Sequence, residues 1–156
     1  MFKTATMLLV FTAATLFTLS SATAAELTWR NDIEPMIAAN CGACHGSETP
    51  TYREWRLLSE EERAKIGPRM DTYEHFMSYV VWPATGAQQR RLDNGVNRGG
   101  EPGNMFVYLG KTEEERAENL TMLREWLGAW NLNRWKARDD VPGISKEQLE
   151  AISAKY

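Results

Sequence analysis

The chain contains two cysteines, and both lie in the pentad Cys41-Gly42-Ala43-Cys44-His45. Two thiols three residues apart on one helical turn match the separation of the two vinyl groups of a porphyrin, and each thiol can add across one vinyl. The histidine that follows then lies close under the iron, where an imidazole nitrogen can bind it. The pattern predicts one covalently attached haem c, with Cys41 and Cys44 as attachment residues and His45 as an iron ligand.

Three other interpretations of the pentad have less support. A redox dithiol is typical of a βαβ context, and no β-branched strand runs flank this pentad. Zinc normally takes four ligands, whereas the chain offers just two cysteines and two histidines, His45 and His75. A disulfide within the pentad would close too small a loop to stabilise the fold much. Haem attachment is therefore the favoured interpretation.

Residues 1–25 have the pattern of a signal peptide. Lys3 gives a charged start, an apolar stretch runs over 7–19, and the small residues 22–25 fit cleavage before Ala25 or Glu26. The apolar stretch is shorter than the about 20 residues that a spanning helix needs, and an uncleaved anchor is the alternative. Nothing after residue 25 is apolar for long enough to span a membrane. Because haem is attached to such chains outside the cytoplasm, the leader and the pentad together predict a periplasmic protein.

Residues 26–156 fall within the usual size of a single domain. The whole chain has 18 Lys and Arg against 21 Asp and Glu, a formal net charge of −3, and it has no basic run that would indicate nucleic-acid binding. Six tryptophans are many for so small a domain. A haem, whose faces need apolar and aromatic packing, helps to explain them.

The first helix is expected to start near Asn31 or Asp32 as N-cap and to run into the pentad, with Ile33, Met36 and Ile37 on one face. Capping patterns predict four more helix starts further along the chain. Each pairs a cap residue with an acidic residue or Gln three positions later: Ser59 with Glu62, Asp71 with Glu74, Thr112 with Glu115, and Ser145 with Gln148.

The spacing of apolar residues predicts how far two of these helices run. The helix after Asp71 should run through Phe76, Tyr79 and Val80. The helix over 113–130 should carry a core face, with these members: Leu120, Leu123, Trp126, Leu127 and Trp130. In the last helix, Ile144 and Leu149 are expected to form a hydrophobic staple.

Residues 84–110 contain six glycines and one proline, which predicts a long loop. The apolar segment 105–109 within it is too apolar to remain in solvent. Arg90, Arg91 and Arg98 share this loop, either as solvated charges or as partners of the haem propionates, because a guanidinium suits a carboxylate.

These features resemble those of class I cytochromes c, in particular bacterial monohaem members. Residues 33–40 with the pentad resemble the helix that carries the attachment site in that family, and Pro102-Gly103-Asn104-Met105-Phe106 resembles its approach to an axial methionine. The resemblance implies an all-α, cytochrome c-like fold, with helices wrapped around one haem, long Gly-rich loops and crossing N- and C-terminal helices. Residues 131–156 would be a C-terminal helical extension, folded back over the haem or forming a contact surface.

Two parts of the chain depart from the family. Class I members usually have a proline whose carbonyl orients the imidazole, but Pro50 follows His45 too soon and Pro68 too late, so the sequence assigns neither. The stretch 55–98 has no counterpart that can be aligned.

Met105 is the favoured distal ligand, so that the predicted iron ligands are His45 and Met105. His75, Met70 and Met77 are its rivals, and an open distal site is the further alternative. The remaining methionines of the mature chain are expected to pack in the core, because they lie in the crossing helices: Met36 and Met122.

Two classes of function follow. A His/Met-ligated iron has no vacant site for substrate, which predicts a carrier of single electrons between redox protein partners rather than an enzyme. The alternative is a haem protein that binds or senses NO, CO or O₂ at an open or weakly held distal site. An enzyme is disfavoured because the loop offers no evident acid–base pair beyond His75.

Overall fold

The computed structural model describes residues 26–81, 83–93, 102–130 and 145–156. Within these ranges the regular elements are helices, and extended backbone pairs at a single bridge between Asp93 and Pro102. This confirms the predicted all-α class. No helix in the described part of the chain is long and apolar enough to cross a membrane.

The helices follow one another with short connections. A π-helical turn at Trp29–Ile33 leads directly into α1, which ends with the pentad, and a 3₁₀ turn at Phe106–Tyr108 precedes α6. The α-helices are α1 at Glu34–His45, α2 at Tyr52–Leu57, α3 at Glu60–Lys65, α4 at Tyr73–Met77, α5 at Ala87–Leu92, α6 at Glu113–Leu127 and α7 at Lys146–Glu150.

Side-chain caps start most of these helices. The hydroxyls of Ser59, Thr112 and Ser145 accept hydrogen bonds from backbone N–H groups three residues later, as the sequence predicts. The cap of α4 is Thr72 rather than Asp71, because the Thr72 hydroxyl accepts from the N–H of His75. Helix α2 starts with a further capping box, between Thr51 and Glu54. Neither this box nor the helix was predicted from the sequence.

The first helix begins earlier than expected. Thr28 caps it by accepting from the N–H of Asn31, and the Asp32 carboxylate accepts from the N–H of Thr28, so that Asp32 supports the cap without being it. Starting the helix at Trp29 adds one large aromatic residue to the buried face predicted for Ile33 and its neighbours.

One apolar cluster forms the core. Its buried members come from the first helix, from the α4 region, from Leu92 and Leu109, and from α6: Trp29, Ile33, Met36, Ile37, Phe76, Val80, Leu92, Leu109, Leu123, Trp126 and Leu127. The expected apolar faces of the first helix and of α6 therefore lie in the same cluster. Met122 packs partly buried against it, as expected for a core methionine.

The region 84–110 is not one continuous loop. Helix α5 lies within it and buries Gln88 and Gln89 together with Leu92. Its start follows Gly86, which has the left-handed conformation (φ 68°) that glycine tolerates. The prediction of one long loop was wrong for two reasons. Most of the glycines lie after this helix, and the two buried glutamines break the apolar periodicity that would have indicated a helix here.

Helix α6 ends sooner than expected, at Leu127, because Gly128 adopts φ 70° and leaves the helix. Trp130 therefore lies beyond the helix, where its indole Nε1–H donates to Asp93 Oδ2 at 2.9 Å. The described end of the chain, 145–156, folds back onto the first helix and α6. The predicted signal peptide, Arg98 and Ile144 lie outside the described residues.

Candidate haem site

The pentad occupies the last turns of α1. Cys41 is partly buried against the core cluster and Cys44 is exposed, and both thiols are free. Residues three apart are neighbours on a helix surface, so the two thiols lie on one side of this turn. A Cβ added to Gly42, between them, would meet nothing within 4 Å. Burial, and then the neighbouring Cys44, raise the pKa of the Cys41 thiol to about 11.

His45, the last residue of α1, is fixed by a backbone carbonyl. Its Nδ1 lies 2.6 Å from the carbonyl oxygen of Pro68. Because a carbonyl can only accept, Nδ1 carries the proton and Nε2 keeps the lone pair that a metal needs. Burial lowers the pKa of His45, and the bond to Pro68 opposes that effect, so the ring is neutral at pH 7.

Pro68 is thus the proline that the sequence left unassigned. The spacing of 23 residues from His45 looked too long, but α2 and α3 occupy the intervening chain and return it to the pentad. Two backbone bonds hold the returning segment in place: Gly67 N–H donates to Cys44 O at 3.1 Å, and Met70 N–H donates to His45 O at 2.8 Å.

Gly67 has a further role in this contact. A Cβ at this position would overlap the ring atoms Cε1, Nδ1 and Nε2 of His45. The backbone of Gly67 therefore supports the imidazole directly, and a side chain there would displace the ring. The sequence signal, a Gly-Pro pair after α3, was interpreted as a helix stop and not as part of the site.

An ionic cluster follows Pro68 in the chain. Arg69 binds Asp71 through two hydrogen bonds, of 2.6 and 2.9 Å, and this guanidinium lowers the pKa of the Asp71 carboxyl. His75 Nδ1 lies 3.3 Å from Asp71 Oδ1. A cavity of about 350 Å³ between α1 and this cluster is lined by both His45 and Asp71. His75 is therefore bonded to a carboxylate that lines the same cavity as His45.

Met105 lies on a different, well-braced segment. Its backbone N–H donates to Arg91 O at 2.8 Å, and Gly103 N–H donates to Leu92 O at 3.1 Å, so the loop is fastened to the end of α5. The side chain is partly buried and packs against the core cluster, as does Cys41. The structure thus brings the predicted distal ligand and the pentad to one apolar core.

The rival methionines differ in position. Met70 belongs to the Gly67–Met70 segment that supports His45, and a distal ligand must come from the opposite face of the haem. Met77 ends α4, and both Met70 and Met77 are partly buried against the same core cluster as Met105. The arginines proposed for the propionates have protein acceptors: Arg90 donates to Thr85 O at 3.1 Å, and Arg91 donates to Asn104 Oδ1 at 3.2 Å.

This donor set fits a covalently attached haem. Two free thiols share one helical turn, open space adjoins Gly42, and a neutral imidazole with an oriented Nδ1–H presents Nε2 as a ligand. The fold and the site together define a c-type cytochrome with a single haem-attachment motif.

The comparisons with known proteins agree. A family model described as PccH cytochrome c matches residues 28–156, and the chain belongs to this family. A solved structure, the monohaem cytochrome PccH from Geobacter sulfurreducens, is 45% identical and superposes with a TM-score of 0.72, covering 84% of this chain and 99% of that one. None of the curated proteins compared matches the sequence.

Membership of this family implies a single covalently bound haem c and an electron-carrying role. The family model matches residues 28–156. The match therefore includes the segment 131–156, which was predicted from the sequence as a C-terminal extension.

Proposed function

We propose that this protein is a periplasmic carrier of single electrons, with the haem attached through Cys41 and Cys44 and the iron bound by His45 and Met105. A haem iron with both axial positions filled by protein can change oxidation state but has no vacant position for substrate. The observation that carries the proposal is the His45–Pro68 bond, which fixes a neutral imidazole with Nε2 available.

The choice of Met105 rests on position. The segment Gly67–Met70 is bonded to the end of α1 and holds the imidazole through Pro68. Met105 instead comes from a loop braced on α5, and the following residues, Phe106 and Tyr108, form the 3₁₀ turn before α6. A thioether ligand raises the reduction potential of a haem, which suits delivery of electrons to an oxidising partner protein.

Covalent attachment is tested on the purified protein. Haem should remain on the chain through acid–acetone extraction and denaturing electrophoresis, since thioether bonds survive both. The mass should equal that of the chain beginning at Ala25 or Glu26 plus one haem, which also tests cleavage of the signal peptide. Cys41→Ala or Cys44→Ala should leave at most one thioether and a poor yield. Free extraction of the haem from the wild type would exclude this attachment.

The distal ligand is tested by comparing three single variants. Met105→Ala should abolish the weak red absorption of a ferric iron–thioether bond, lower the reduction potential and open the reduced iron to CO. Met70→Ala and Met77→Ala are the matched controls and should leave the spectrum intact. If the Met105 variant is spectrally silent and His75→Ala is not, the haem is bis-His and the placement of Met105 is wrong. Rapid CO binding by the wild type would favour a gas-binding protein instead.

A further inference from the structure

Two peptide units hold the chain where it returns to the pentad. A peptide unit is planar, so its C=O and N–H groups turn together. The first unit joins Ile66 to Gly67. Its N–H donates to Cys44 O at 3.1 Å, and its carbonyl accepts from Nε1–H of Trp55 at 2.8 Å. Both polar ends of this unit are therefore bonded, which fixes its orientation beside the imidazole of His45.

The second unit joins Pro68 to Arg69. Its carbonyl oxygen lies 2.6 Å from His45 Nδ1, and its N–H donates to Pro50 O at 2.8 Å. Pro68 is buried and has no N–H of its own. The place of its carbonyl therefore depends on the bonds of this unit and on those of the unit before it.

Trp55 differs in kind from the other partners of these two units. Cys44 and Pro50 contribute backbone carbonyls, and His45 is the residue that is positioned. Trp55 contributes a side chain and belongs to α2. Its bond is therefore the one of these four that a single substitution can remove without changing the backbone or the iron ligand.

The indole of Trp55 is itself held by its neighbours. Its ring stacks on that of Tyr52, with centroids 6.4 Å apart and 22° between the planes. The guanidinium of Arg63 lies 5.5 Å from the centroid of the indole ring, within the range of a cation–π contact. Tyr52 belongs to α2 and Arg63 to α3, so both helices of the intervening chain fix the direction of the donor.

We propose that Trp55 is a positioning residue for the proximal ligand. By binding the Ile66 carbonyl, its indole holds the backbone of Gly67 against the imidazole. The same bond keeps Pro68 O within reach of Nδ1 of His45. This inference rests on the proposed function, because it needs His45 to bind the iron of an attached haem, and it gives α2 and α3 a role at that ligand.

The bond from Nδ1–H is expected to act on the iron. Donation to an acceptor makes an imidazole a more basic ligand, and such hydrogen bonds are one of the means by which a protein sets the potential of a haem. A more basic ligand stabilises the ferric iron, because that iron carries the larger positive charge. Loosening Pro68 O should therefore raise the reduction potential and expose Nδ1–H to solvent, whereas a loss of stability alone would not change the potential of the folded protein.

The test measures two quantities on the haem-loaded protein: the exchange of the His45 Nδ1–H with solvent deuterium, followed by NMR of the reduced form, and the reduction potential. Trp55→Phe removes the indole donor and keeps an aromatic ring in α2. We expect the exchange to become roughly three- to tenfold faster, the factor that one typical hydrogen bond contributes, and the potential to rise. Arg63→Met removes the guanidinium but leaves the donor, so it should change both quantities in the same direction by less.

Trp126→Phe is the matched control. Its indole also donates to a backbone carbonyl at 2.8 Å, that of Lys155, but neither group belongs to the segment 66–69. This variant should keep the exchange rate and the potential of the wild type, even where it lowers stability. Wild-type values in the folded Trp55 variant, or in the Arg63 variant if the former does not load haem, would overturn the inference. The proposed function would stand after that result, and it would fail separately if no thioether formed.

Discussion

Gly67 places its backbone against the imidazole of His45, where a Cβ would overlap three ring atoms. The ring cannot turn away without losing the bond from Nδ1 to Pro68 O. Orientation of a ligating histidine by the acceptor on its other nitrogen fixes both the tautomer and the direction of the lone pair. The orientation of His45, the proposed proximal ligand, is therefore set by a glycine and a backbone carbonyl, neither of which provides a side-chain functional group.

Gly67→Ala should consequently disturb the haem while leaving the motif intact. The added methyl group must push the imidazole from Pro68, so we expect a lower yield of haem-loaded protein and an altered low-spin absorption spectrum. Leu57→Ala is the control, because this side chain is 82% exposed on α2, away from the pentad in the chain. Its yield and spectrum should match those of the wild type. A wild-type yield and spectrum for the Gly67 variant would show that Gly67 does not support the ring.

The sequence predicted those parts of the site that depend on neighbouring residues. The pentad and the capping pairs of Ser59, Thr112 and Ser145 each operate within a few residues, so a local pattern identifies them. The Pro68 contact joins residues 23 apart and depends on how α2 and α3 return the chain. No local signal gives that distance, and the usual spacing of the family therefore left the orienting proline unassigned.

At the scale of elements, α6 contributes most to the core where its apolar residues meet the first helix. Leu123 and Leu127 are fully buried and Trp126 nearly so. The Trp126 ring lies 5.9 Å from that of Trp29, which makes this a contact between α6 and the first helix. The apolar spacing of α6 predicted this face correctly. The end of the helix was missed because Gly128, and not Trp130, decides where it stops.

Leu123→Ala or Leu127→Ala should each destabilise the folded protein by about 2–5 kcal/mol, the range for buried leucine truncations. The measurement is the free energy of unfolding from a urea titration of the haem-loaded protein. Leu57→Ala is the control, since this side chain is 82% exposed on α2, and it should change stability by less than about 0.5 kcal/mol. A loss as small as that of the control at both core positions would show that this face is not part of the core.

At the scale of the whole molecule, the last residues bind the start of the first helix, about 18 Å along that helix from Cys41. The carbonyl of Lys155 accepts hydrogen bonds from the backbone N–H of Trp29 and from Nε1–H of Trp126, both at 2.8 Å. Tyr73 donates to Ala154 O, and Arg30 lies over the ring of Tyr156, 4.4 Å from its centroid. These acceptors are backbone carbonyls, which explains why no sequence pattern revealed that the tail joins the first helix, α4 and α6.

Removing residues 153–156 tests whether this tail stabilises the fold without affecting the iron ligands. Truncation after Ile152 would leave the Trp29 N–H, the Trp126 indole and the Tyr73 hydroxyl without acceptors, at a cost of about 1–3 kcal/mol for each group that stays buried. The urea midpoint should therefore fall. Trp29 and Cys41 are about 18 Å apart along a helix, so the absorption spectrum and the reduction potential of the truncated, folded protein should match the wild type. Tyr73→Phe, which keeps the ring but loses the one donor to Ala154 O, should lower the midpoint by less. An unchanged midpoint after truncation would show that the tail is not part of the folded unit, and a changed iron spectrum would show that it acts on the haem.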